Sequence, residues 1–313
     1  METACPAPPR PAARPAPPAR PGPPPPRPRG PKRVAVVVGS GALQCAAAIG
    51  LWRVLEREGV RVDLAVGCSG GAIYAALHAL GVSADEAEAL TDRLWTRGVL
   101  TRPDRRAALR ALLPRALGFD GRFGLVDDGP LGRALGAAFD GRTFGEAETP
   151  LRVVATDFET GDRVVLGAPG ASGPATSVFD AVRASVAVPF VWRPWPVDGR
   201  LLCDGCLSDP LPVGAAVEAG ADVVLAMGFE AARPRRVSTA MRFAFQVTSV
   251  YTNSLLRAGL ARDRLAHGAA VVPVLPRFDR PPGLIATGRL GAVVRRGEAA
   301  AEAALPALEA ALA

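Results

Sequence analysis

The stretch Gly67-Cys68-Ser69-Gly70-Gly71 sets one hydroxyl among small residues at the spacing G-x-S-x-G, between an apolar run and a helical pattern. A serine so placed can occupy a sharp strand-to-helix turn. Small neighbours then let the backbone pack closely, and the helix N-terminus turns N–H groups toward developing negative charge. A plain structural turn has the same letters, so the spacing leaves both readings open. A serine hydroxyl is a weak nucleophile until a base takes its proton. Two histidines are available. His78 falls well along the helix after Ser69 and is read as packing there. His267 precedes a strand and would complete a Ser, Asp, His order of the α/β-hydrolase kind. A carboxylate held dry against the hydroxyl can do the same work, because burial raises its basicity. Asp204 is the leading candidate, since it follows the apolar RLLC and precedes Gly205 at an expected strand end. Asp157 in VVATDFETG is similarly placed, with a hairpin-turn role as the alternative, and Asp209 before Pro210 reads as a turn residue.

These groups depend on the elements that carry them. RVAVVV is β-branched without alternation, the pattern of a strand buried on both faces of a parallel sheet. A glycine-bearing loop from Gly39 to Gly41 leads into the helical AAAIGLWRVLEREG, and VDLAVG reads as a second strand. Such a unit crosses over right-handedly and brings both strand ends to one sheet edge. Gly39-Ser40-Gly41 also suggests a dinucleotide turn, but Gln44 stands where that turn needs glycine. Downstream, LRVVATDFETGDRVVLG predicts two strands and a polar turn, and VDGRLLCDGCLSDPLPV predicts a short strand and loop. ADVVLAMGF and AAVVPVLP predict buried strands flanking a long helix at 236–265, and GEAAAEAALPALEAALA predicts a terminal helix interrupted at Pro306. The expected fold is α/β, a single three-layer domain with a mostly parallel central sheet flanked by helices.

The chain of 313 residues is 49% apolar, enough for a large core. Its net charge of +7 is concentrated in the opening segment, where Arg10, Arg14, Arg20, Arg27, Arg29, Lys32 and Arg33 face only Glu2. The nearly neutral body lacks the clustered cations that nucleic-acid binding requires. Residues 1–31 alternate Pro, Ala and Arg, have little to bury and are expected to be disordered; no motif in them names a partner. Five cysteines and no run of spanning length predict a reducing, cytoplasmic setting.

An ordered series of motifs gives the chain a family resemblance. It comprises the Gly39 to Cys45 loop, the Gly67 to Gly71 elbow, VVATDFETGDRVVL, AVRASVAVPFVWRPWPVDGRLLCDG and LSDPLPV. Together they resemble the patatin-like phospholipases over nearly everything from Arg33 onward. The resemblance implies a patatin-like acyl hydrolase domain at 32–313 and a Ser-Asp dyad acting on a lipid or acyl-ester substrate through an acyl-enzyme. Ser69 would be the nucleophile, and Asp204, with Gly205 in the proton-acceptor motif, the base. Gly67 and Gly71 would shape the elbow, and the loop of Gly39, Gly41 and Ala42 would supply the oxyanion hole. No metal or cofactor is implied. The family's glycine loop ends in a cation and a glycine, whereas here Gln44 and Cys45 stand there, Ser40 and Ala42 interrupt the glycines, and Cys206 replaces a small residue after Asp-Gly. A catalytically impaired member that binds lipid or a protein is therefore the alternative.

Cys45, Cys68, Cys203 and Cys206 fall in motif loops and are read as small-residue filling, with a redox switch as the sharper alternative and no second ligand pair for a zinc site. RPDRRAALRALLPRALGF joins Arg102, Arg105, Arg106, Arg110 and Arg115 to leucines. It is read as a helix with a solvated arginine face, and peripheral membrane association is the alternative.

Overall fold

All five residues of Val34–Val38 are buried, and their alternation is between two cores instead of between core and water. Val34, Val36 and Val38 pack in the larger hydrophobic cluster, while Ala35 and Val37 pack in a second one on the other face. A strand covered on both sides has no reason to alternate polar and apolar residues, which accounts for the sequence pattern. This computed structural model describes residues 31–118, 121–139, 141–170, 176–229, 238, 240–266, 269–278 and 287–313. The expected tail at 1–31, but for its last residue, and His267 lie outside them.

The strands are β1 (Val34–Val38), β2 (Leu64–Cys68), β3 (Leu151–Asp157), β4 (Arg163–Leu166), β5 (Trp195–Val197), β6 (Arg200–Asp204), β7 (Val223–Met227) and β8 (Ala270–Val274). The sheet runs β5-β6-β3-β2-β1-β7-β8, with β4 paired to β3. From β3 to β8 the neighbours are parallel; β4, β5 and β6 add antiparallel pairs. The β5–β6 hairpin closes through Asp198 and Gly199, both at positive φ (47° and 76°), as a two-residue turn of the right twist demands.

The helices are α1 (Ala47–Arg57), α2 (Gly70–Ala79), α3 (Ala84–Leu94), α4 (Arg97–Leu100), α5 (Arg105–Leu112), α6 (Pro114–Leu117), α7 (Asp128–Phe139), α8 (Val178–Ser185), α9 (Val213–Glu218), α10 (Ala240–Ala266) and α11 (Leu290–Leu312). The mostly parallel sheet with helices on its faces is the expected α/β architecture. Helix α1 lies against α11 so closely that a Cβ on Gly297 would stand 1.9 Å from the Ala47 carbonyl oxygen, and one on Gly50 2.2 Å from that of Val294. The terminal helix departs from expectation: it begins at Leu290 and runs through Pro306 without interruption. Pro306 and Glu302, whose carbonyl loses its helical donor there, are both exposed, so water replaces that bond while Ala301, Ala304 and Leu308 anchor the helix on the core. Among the described residues no helix is long and apolar enough to cross a membrane.

Candidate active site

The register of β3 determines what meets at the sheet edge. Val153 and Val154 pair with β2 and with β4, while Ala155 and Thr156 pair with β4 and with β6. A strand has two edges, so β2 and β6 must share the one opposite β4. They approach head-on: β2 ends with Cys68 opposite Val154, and β6 ends with Asp204 opposite Ala155. The residue after β2 is Ser69. Its Oγ donates to Asp204 Oδ2 at 2.7 Å.

Ser69 adopts φ 55° and ψ −129° as the residue preceding α2. A non-glycine residue with positive φ is strained, and the surroundings must hold it. Its N–H donates to Ser185 Oγ at 2.8 Å, and Ser185 Oγ donates to the Val154 carbonyl at 2.6 Å, which ties the turn through α8 to β3. The glycines are required by contact. A Cβ at Gly67 would lie 2.5 Å from Ala72 Cα, and one at Gly71 2.2 Å from the Val38 carbonyl oxygen. One at Gly205 would lie 2.3 Å from the carbonyl oxygen of Val154.

Asp204 has no exposed surface, whereas Ser69 retains 9% of its own. The hydroxyl is thus the member of the pair a substrate could reach. Burial pushes the Asp204 carboxyl up from the usual carboxylate range to about 6, against the opposing pull of the Cys206 N–H, which donates to Oδ1 at 2.8 Å, and of the Ser69 hydroxyl. The Asp204 main chain is held too, its N–H by the Ala187 carbonyl at 3.0 Å and its carbonyl by Thr156 Oγ1 at 2.9 Å.

The loop after β1 packs against the elbow. A Cβ on Gly70 would lie 2.8 Å from the Ala42 carbonyl oxygen. The Gly39 N–H donates to the Met227 carbonyl at 2.9 Å and the Ser40 N–H to that of Pro210 at 2.8 Å, so both are engaged by the scaffold. Gly41 and Ala42, the other members of the expected set, follow in the same loop. Ala42 holds φ 50°, so the loop keeps a left-handed residue without glycine. Cys45 Sγ donates to the Gly39 carbonyl at 3.3 Å, and Gln44 is buried.

The remaining expected residues separate from the pair. Asp157 Oδ1 accepts from the N–H groups of Glu159 (2.9 Å) and Thr160 (3.2 Å), which is the turn role. Asp209 accepts from Arg163 at 3.1 Å. His78 stacks on Trp52 with ring centroids 4.9 Å apart, and burial lowers its imidazole to about 4. The four cysteines of the folded region are free and buried. Burial first, and then the Asp204 charge, pushes the thiols of Cys45, Cys68 and Cys206 well up and that of Cys203 up to about 12. Reactive cysteines need the opposite environment, so these fill space as neutral thiols. Ser185 escaped the sequence reading; its only signal is a hydroxyl amid the Ala and Val of a buried helix face.

A protein-family model for patatin-like phospholipase matches residues 36–217, from β1 into α9, a span containing both Ser69 and Asp204. The chain belongs to the patatin-like phospholipase family. Uncharacterized NTE family proteins of Mycobacterium bovis and Mycobacterium tuberculosis are each 30% identical to it over 229 residues, covering 72% of this chain and 56% of theirs. This patatin-like chain therefore spans little more than half the length of those curated relatives. Among solved structures, VipD from Legionella pneumophila is similar at a TM-score of 0.48 and 16% identity, over 88% of this chain and 67% of that one. The type III effector protein ExoU is similar at 0.42 and 17%, over 88% and 53%.

Proposed function

We propose that the chain hydrolyses carboxylic esters of lipids, with Ser69 as nucleophile and Asp204 as its base. The observation that carries this reading is the 2.7 Å contact from Ser69 Oγ to a fully buried carboxylate whose pKa is raised to about 6. A carboxylate in water is too weak a base for a serine hydroxyl. Dry surroundings raise its basicity while leaving it ionised at neutral pH.

Ser69 Oγ attacks the ester carbonyl carbon as its proton passes to Asp204. The tetrahedral oxyanion takes hydrogen bonds from the N–H groups of Gly41 and Ala42, and the N-terminus of α2 adds its positive dipole. The carbon–oxygen bond to the leaving alcohol breaks, Asp204 returns the proton to that alcohol, and an acyl-Ser69 remains. Water, giving a proton to Asp204, then attacks the acyl carbonyl; as the carbon–oxygen bond to Ser69 breaks, Asp204 returns that proton to Ser69 Oγ, and the fatty acid leaves. No step calls on a metal or organic cofactor. Membership of the patatin-like phospholipase family supports a lipid as the acyl donor.

Intact-mass analysis after exposure to a fluorophosphonate lipid analogue tests this directly, on the wild type, Ser69→Ala and Asp204→Asn. A single adduct on the wild type, absent from both variants, is the expected result. A folded wild type that takes no adduct would turn the reading toward the impaired, binding-only member, for which Gln44, Cys45 and Cys206 are the motivation.

A further inference from the structure

We propose that α5 and α6, with Phe190, form a surface that docks on an anionic phospholipid bilayer and brings the Ser69 opening to it. The proposal rests on the reading of the substrate as a lipid. Helix α5 buries only Ala107. Leu109, Leu112, Leu113 and Leu117 are all exposed, Leu112 by 77%, and Phe190 is exposed by 62% while held at φ 66°. Large apolar side chains gathered on one segment in water mark a surface that something covers.

The charge on the same segment indicates what covers it. Arg105, Arg106 and Arg110 are exposed beside the leucines, and the sequence from 105 to 119 contains no Asp or Glu. Two carboxylates that flank the segment are engaged elsewhere: Asp104 caps α5 through the Arg106 and Ala107 N–H groups, both at 2.9 Å, and pairs with Arg193, while Asp127 pairs with Arg102 at 3.4 Å. Exposed arginines beside exposed leucines complement a bilayer with negative headgroups above an apolar interior, their long stems lying along the boundary.

The segment is also fixed to the site. The Asp104 N–H donates to the Leu125 carbonyl and the Leu125 N–H to that of Phe190, each at 2.9 Å. Three residues before Phe190, the Ala187 carbonyl holds the Asp204 N–H at 3.0 Å. Docking through α5 and Phe190 would therefore set the Ser69–Asp204 pair at a defined distance from the headgroups.

Co-sedimentation of the full chain carrying Ser69→Ala, which cannot consume the lipid by the proposed route, tests this. The probes are vesicles of phosphatidylcholine with and without phosphatidylserine. Binding is expected only with phosphatidylserine present. It should be about a hundredfold weaker when Arg105→Gln, Arg106→Gln and Arg110→Gln are combined, and about tenfold weaker or more in Leu112→Ser with Leu113→Ser. These side chains are exposed, so the thermal transition should not move. The arginines of residues 1–31 are common to every variant, so differences between variants report on α5 and α6. Equal binding by all variants overturns the proposal, as does a chain that sediments with neither vesicle, which would leave this face to a protein partner. Hydrolysis of a short-chain soluble ester, measured with Ser69 present, tests the hydrolase reading separately. Vesicle binding without ester hydrolysis sinks that reading and keeps the docking surface; hydrolysis without vesicle binding does the reverse.

Discussion

Ser69 Oγ stands 2.7 Å from Asp204 Oδ2, although 135 positions separate the two in the chain. The proximity follows from two strands ending head-on along one edge of β3, at Val154 and Ala155. Neither residue is held by this contact alone: the Ser69 main chain is tied through Ser185 and that of Asp204 through Ala187 and Thr156. Such support holds the proposed nucleophile and its proposed base at a fixed distance.

The pH dependence of ester hydrolysis should have an acid limb set by Asp204. A base must be ionised to accept a proton, and burial raises this carboxyl to about 6. We expect kcat/KM to be half-maximal near pH 6 and to level off above it. A limb near pH 4, the usual carboxylate range, would count against Asp204 as base.

The same burial has an opposite effect on stability. Because the folded pKa lies above the ordinary value of 3.8, the native state holds more protons than the unfolded chain between the two, and stability falls as pH rises through that window. Asp204→Asn removes the titration while keeping the shape. Chemical denaturation should find its advantage over the wild type growing from pH 4 to pH 7 by up to about 3 kcal/mol, even as fluorophosphonate labelling is lost. An advantage independent of pH would contradict the raised carboxyl.

Ser185→Ala removes the acceptor of the Ser69 N–H and the donor to Val154. A buried N–H left unpaired beneath a strained residue should cost about 1–3 kcal/mol in denaturant unfolding. As Ser185 only positions Ser69, kcat should fall about tenfold with KM unchanged, and Ser185→Thr should restore much of it. A rise in KM at constant kcat would instead assign Ser185 to substrate binding.

Ala42→Gly relieves a left-handed residue at φ 50°. The variant should be about 1 kcal/mol more stable by thermal unfolding and should keep its rate of fluorophosphonate labelling. Gly71→Ala should do the reverse, losing about 3 kcal/mol or the fold itself, because its Cβ would strike the Val38 and Gly39 carbonyl oxygens at 2.2 and 2.5 Å. An unchanged transition in Gly71→Ala would mean the elbow is looser than this packing requires.

Local chemistry was legible in the chain before any fold was known. RVAVVV declared a strand covered on both faces, and the small residues around Ser69 declared a tight strand-to-helix turn; the β5–β6 hairpin through Asp198 and Gly199 was read only as a short strand and a loop. These features depend on residues a few positions apart, where sterics and periodicity act directly. Which carboxylate faces Ser69 is another matter. Asp157 ends β3 and Asp204 ends the β6 that pairs antiparallel with it, and only the register along β3 puts one at 2.7 Å from Ser69 and leaves the other capping a turn. Ser185 was invisible for the same reason, since a single hydroxyl in an apolar helix acquires its role from what lies opposite. Pro306 stays within α11 because packing against the core outweighs the bond it forfeits to solvent. Short-range preference is written residue by residue, whereas pairing, burial and the raised basicity of Asp204 are properties of the assembled sheet, which removes water from groups the chain holds far apart.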